Sequence, residues 1–143
     1  MNEESAETAL NLALSESAKA YLQKCLPFAA EMSRRGLVAS LTYCGGMEQR
    51  VNGEVLWDYH GPNFLLAGAK PKPADAGGYF DLLGVRVWIG KTERTLLRGK
   101  TLTTIWYGNP HPEELLVIEN APPDYFERTM FGAECAQDAH VKG

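Results

Sequence analysis

The first sustained pattern of apolar positions runs through Ala18, Tyr21, Leu22, Cys25 and Leu26, at spacings of three and four residues. Such spacing lays a single apolar stripe along an α-helix. Ser15 stands just ahead of it, where its hydroxyl can accept a free amide of the first turn, and Glu16 suits the positive end of the dipole. Pro27 cannot donate to the turn before it, so the helix kinks there or restarts with proline in its first turn. Arg34 and Arg35 followed by Gly36 are a stop signal. Residues 1–14 are acidic, alanine-rich and uncapped, and are expected to form a flexible, loosely helical leader.

Beyond Gly36 the pattern turns β-like. Residues 37–43 and 55–60 read as two strands, joined through Gly45-Gly46 and an Asn52-Gly53 turn. Phe64-Leu65-Leu66 reads as a short third strand. Residues 67–78, with two Lys-Pro pairs and Gly77-Gly78, read as a loop. Val85, Val87 and Ile89 then alternate with Arg86 and Trp88, which puts the two sets on opposite faces of a strand. Residues 91–97 allow two helical turns, and residues 101–107 and 115–120 are β-prone. Asp124 is placed to cap a closing helix ending near Gly132. The connections are too short for helical crossovers, so pairing is expected to be mostly antiparallel. The pattern predicts one α+β domain over residues 15–121, an N-terminal helix followed by a β-sandwich or partly open barrel, with a C-terminal helix and tail over residues 122–143.

The order of these segments resembles a known family. Leu14-Ser15-Glu16-Ser17-Ala18 opens a helix, and a strand runs into a glycine pair beside Cys44. The block Gly84-Val85-Arg86-Val87-Trp88-Ile89, the turn Leu96-Leu97-Arg98-Gly99-Lys100 and the run Ile118-Glu119-Asn120-Ala121-Pro122 follow. Over residues 14–135 this is similar to the HesB-like family of A-type iron–sulfur cluster carriers. The resemblance implies a compact, mostly antiparallel fold that holds iron or an iron–sulfur cluster. Its ligands would be a cysteine at a glycine-rich loop and a cysteine pair near the C-terminus. Cys44 and Cys135 fall near those positions. Here Cys44 precedes its glycines rather than following them, and Cys135 has no partner cysteine. Cluster iron needs a full set of soft ligands. Two thiolates per chain would be completed by a homodimer or an external thiol.

Composition narrows the reading further. A chain that is 45% hydrophobic and 22% charged is an ordinary globular one, and no apolar run is long enough to span a bilayer. Three widely spaced cysteines argue against a disulfide framework, and no signal-peptide pattern opens the chain, so a cytoplasmic address is expected. Fourteen basic against eighteen acidic side chains leave a net charge of −4. Residues 70–100, however, hold seven bases, Lys70, Lys72, Arg86, Lys91, Arg94, Arg98 and Lys100, against Asp75, Asp81 and Glu93. One mildly basic face follows, without the dense stripe or high pI of a nucleic-acid binder.

No catalytic residue is assigned. A nucleophilic site of Cys44 with His60 as base and Asp58 behind it is the enzymatic alternative, though a thiol also needs a lowered pKa. His60, His111 and His140 share no metal-binding spacing. The remaining candidate is an interaction module that presents an edge strand, or the face of Arg86 and Trp88, to a protein partner.

Overall fold

The structure, a computed structural model, describes residues 3–59 and 61–132. Two helices open the α+β body where the stripe places them: α2 (Glu16–Lys24) and α3 (Leu26–Arg34), preceded by a short α1 (Ala6–Leu10). Ser15 Oγ accepts the Ala18 amide at 3.1 Å, and Pro27 sits in the first turn of α3, so the helix restarts rather than kinks. The strands are β1 (Ala13–Leu14), β2 (Val38–Tyr43), β3 (Met47–Val51), β4 (Glu54–Tyr59), β5 (Asn63–Ala69), β6 (Tyr79–Leu82), β7 (Val85–Trp88), β8 (Thr101–Tyr107) and β9 (Glu113–Ile118). Between β7 and β8 lies α4 (Lys91–Leu97), and a last helix, α5, covers residues 125–132.

Seven strands form one curled sheet, a half-barrel, in the order β1-β8-β9-β5-β2-β7-β6. β3 and β4 make a separate two-stranded ribbon. The pairing is mostly antiparallel, with two parallel contacts, β1 to β8 and β2 to β7.

Several expectations are corrected. The segment read as a flexible leader is a working part of the core: Ala6, Leu10 and Leu12 are buried, and β1 aligns Ala13 and Leu14 with Thr101 and Leu102. Its apolar residues lack a helical period because the helix is one turn and a half, closed by Asn11 in the left-handed region at φ 50°. The two strands read as joined through Gly45-Gly46 and the Asn52-Gly53 turn do not pair with each other. β2 pairs with β5, from Val38 opposite Ala69 to Tyr43 opposite Phe64, while β4 pairs with the polar strand β3 around Asn52 and Gly53. Both turn residues have positive φ, 53° and 86°, the conformation that tight two-residue hairpins require. β6, part of a segment with no assigned element, pairs with β7.

The core lies on the face toward the helices. Leu41, Phe64, Leu102 and Leu116 from four strands meet Ala18 and Leu22 of α2 and Leu96 and Leu97 of α4, all essentially solvent-free. Each of these leucine and phenylalanine side chains contributes about 1.5–3 kcal/mol by leaving water. On the opposite face Leu115 and Val117 of β9 are also buried, as is Trp57 of the β3–β4 ribbon.

Candidate functional site

Cys44 leaves the end of β2 on two backbone anchors. Its own amide donates to the Asn63 carbonyl at 2.8 Å, and the Tyr43 amide donates to Glu93 Oε2 at 3.0 Å. The second bond replaces a strand partner: β2 has outrun β7, and a carboxylate from α4 takes the amide left over. Gly46 then turns the chain into β3 with φ 157°, and a Cβ there would stand 2.9 Å from the Tyr59 carbonyl. Cys44, Gly46, Met47, Glu48, Asp58 and Tyr59 line an open cleft of about 320 Å³.

The thiol of Cys44 is exposed and its Sγ donates weakly to the Thr42 carbonyl at 3.8 Å. Partial desolvation, and then the charge of Glu93, push its pKa up. Reactive thiols need the reverse, an electropositive setting that stabilises thiolate. The base proposed for it, His60, lies outside the described residues, as do Cys135 and His140. Cys25 sits between α2 and α3, its pKa raised by burial and then by Glu114. His111 is exposed, and its carbonyl accepts the Trp57 indole N–H at 3.4 Å.

Among the described residues, no three or more His, Cys, Asp or Glu side chains converge in a way that could hold a metal ion. Glu48 is paired with Arg50 at 2.6 Å. The helix before Cys135 does reach this end of the sheet: Phe126 of α5 stacks on Tyr43 with centroids 4.7 Å apart, and Phe131 packs edge-on against Phe126. Beside Cys44, Asn63 is 1% exposed, and its Oδ1 has no partner among the described residues.

The second predicted site is on β7. Arg86 and Trp88 share a face, as their alternation with the buried Val87 requires. The Arg86 guanidinium lies 3.6 Å over the Tyr79 ring centroid, and its Nε meets Glu3 Oε1 at 3.1 Å. Trp88 meets Tyr79 edge-on at 5.0 Å and covers Gly78, where a Cβ would be 2.6 Å from the indole. The sheet edge next to this face is taken: the Asp81 amide of β6 donates to the Glu4 carbonyl at 2.9 Å, and Ser5 bridges to Asp81. The opening segment thus supplies β6 with a neighbour at this point of its edge. Sequence reasoning also missed Trp106. Read as part of a packed strand, it is 66% exposed at the end of β8.

No helix of the described residues is long and apolar enough to cross a membrane. Comparison of the chain with family models, with curated proteins and with solved structures finds no match.

Proposed function

We propose that the chain is a non-catalytic binding protein on a HesB-like scaffold, with iron or an iron–sulfur cluster as cargo held by Cys44 and Cys135 of two copies. The observation that supports this reading is the stack of Phe126 on Tyr43. It sets α5 against the neighbour of Cys44, and Cys135 follows the last described residue, Gly132, by three positions. Cys44 and Cys135 supply two thiolates per chain, and a homodimer supplies the four that a cluster takes. Burial and then the charge of Glu93 disfavour a free thiolate at Cys44, which weighs against a nucleophile.

Anaerobic reconstitution with ferrous iron and sulfide, followed by visible absorption and sedimentation, tests the reading. Wild type is expected to gain sulfur-to-iron charge-transfer bands and a dimer mass. Cys44→Ser and Cys135→Ser, each checked for a native circular-dichroism spectrum, are expected to stay colourless and monomeric. A colourless wild type overturns the carrier role. The alkylation rate of Cys44 against pH tests the enzymatic alternative. With the thiol pushed up in the folded chain, the rate is expected to rise with a midpoint above the ordinary value of about 8.5. A midpoint near neutrality would restore the nucleophile.

A further inference from the structure

The distribution of ion pairs divides the basic side chains into two groups. Lys19, Lys24, Arg34, Arg35, Arg50, Arg86 and Arg128 each lie within 4 Å of a carboxylate. The described bases without such a pair are Lys70, Lys72, Lys91, Arg94, Arg98 and Lys100, and all of them come from the single segment 70–100. Two carboxylates of that segment are turned to other work. Asp81 accepts the Gly84 amide at 3.1 Å, and Glu93 accepts the Tyr43 amide at 3.0 Å. The exposed Asp75 is the third.

The fold gathers part of this charge around the face of Trp88. The Tyr79 hydroxyl accepts the Lys72 amide at 2.8 Å and donates to the Lys72 carbonyl at 3.0 Å, so the Lys72 backbone is held at the hydroxyl end of the ring that Trp88 and Arg86 touch. Arg94 Nη1 donates to the Gly77 carbonyl at 2.6 Å, which ties the 70–78 loop to α4. Lys91 begins that helix two residues beyond Ile89, and Lys72 and Lys91 are both exposed. An acidic chain of net charge −4 thus carries three cations without carboxylate partners, Lys72, Lys91 and Arg94, on the segments that flank a half-buried tryptophan.

We propose that this surface, formed by Lys72, Lys91 and Arg94 with Trp88 at its centre, docks an extended acidic segment of a partner protein. Charge complementarity selects the partner: unpaired surface cations lose little solvation on meeting carboxylates, speed encounter and fix orientation. A protein segment suits the surface better than a nucleic acid. The half-buried Trp88 is a single ring already packed on Tyr79 and Gly78, and the cations around it are too few for the dense basic stripe that tracks a phosphate backbone. The proposal stands apart from the iron reading, since none of these residues lies in the Cys44 cleft.

The test is fluorescence-anisotropy titration of the full chain with a labelled ten-residue Asp/Glu peptide, a neutral Ser/Gly peptide and a single-stranded oligonucleotide of equal length. Wild type is expected to bind the acidic peptide at least tenfold more tightly than the neutral one, and more weakly as salt rises from 50 to 300 mM. The double variant Lys72→Glu, Lys91→Glu is expected to lose that tenfold preference, while the charge-matched control Lys19→Glu, Lys24→Glu keeps it. Equal loss in both variants, no preference in wild type, or tighter binding of the oligonucleotide overturns the proposal. Low-salt self-association of wild type that Lys72→Glu, Lys91→Glu abolishes would put a second copy on this surface, and would overturn it too.

Discussion

The two faces of the sheet are held by different physics. Toward the helices, aliphatic side chains from strands and helices close on one another, and Leu41, Phe64, Leu102 and Leu116 are nearly free of solvent. Toward the β3–β4 ribbon, a few aromatic rings and polar bonds do the holding. Trp57 and Tyr59 meet Tyr107 edge-on at 5.4 and 5.1 Å, and the Trp57 indole donates to Gln49 Oε1 at 3.0 Å. The Tyr107 hydroxyl donates to the Asp58 carbonyl at 2.9 Å. Val51, Val55 and Leu56 of the ribbon remain exposed. Non-directional burial shared among many elements makes the first face a cooperative unit, whereas a few directional contacts make the second a local one that can open alone. The ribbon forms one wall of the Cys44 cleft, so the proposed cargo site lies where the molecule is least tightly bound together.

If that contrast is right, the costliest single change is on the helix side. Phe64→Ala is expected to lower unfolding free energy by about 3–5 kcal/mol, and Leu10→Ala, in the segment that looked like a leader, by about 2–5 kcal/mol. Urea melts measure both, and a loss under about 1 kcal/mol at Leu10 would return α1 to the periphery. A smaller effect is expected across the sheet. Trp57→Phe keeps an aromatic ring but removes the indole donor and part of the buried bicycle, for about 1–2 kcal/mol, and hydrogen exchange should quicken in β3 and β4 while β2 and β5 hold their protection. Uniform quickening would mean that the two faces open together. The least change is expected at Trp106→Ser, within about 0.5 kcal/mol, because that ring is already two-thirds in water.

Alkaline pH separates the regions by another route. Burial raises the phenols of Tyr21, Tyr43, Tyr59 and Tyr125 and the thiols of Cys25 and Cys44. A group whose pKa is higher in the folded chain binds its proton more tightly there, so its stabilising contribution is intact below the unfolded value and lost above it. Stability is therefore expected to decline from about pH 8.5, where unfolded cysteine begins to ionise, through the tyrosine range above about 10. Flat stability across that window would count against these burials.

Reading the amino acids in order recovers whatever is governed by near neighbours. The Ser15 cap, the restart at Pro27, the stop at Gly36 and the alternation of Val85, Val87 and Ile89 with Arg86 and Trp88 all rest on contacts within a few residues, where steric and hydrogen-bonding preferences of the residues themselves decide. The polar run Met47-Glu48-Gln49-Arg50-Val51 becomes a strand through pairing with β4, and the apolar residues of the opening segment become core through Leu102 and its neighbours. The same limit applies to function. The positions of Cys44 just after β2 and of Arg86 and Trp88 on β7 were open to a local reading. That Glu93 turns inward to the Tyr43 amide, that Glu4 covers the β6 edge and that six cations among the described residues are left without carboxylates was decided by tertiary structure. Those outcomes join residues dozens of positions apart, and charge and hydrogen-bond complementarity at that separation exists only once the chain has folded.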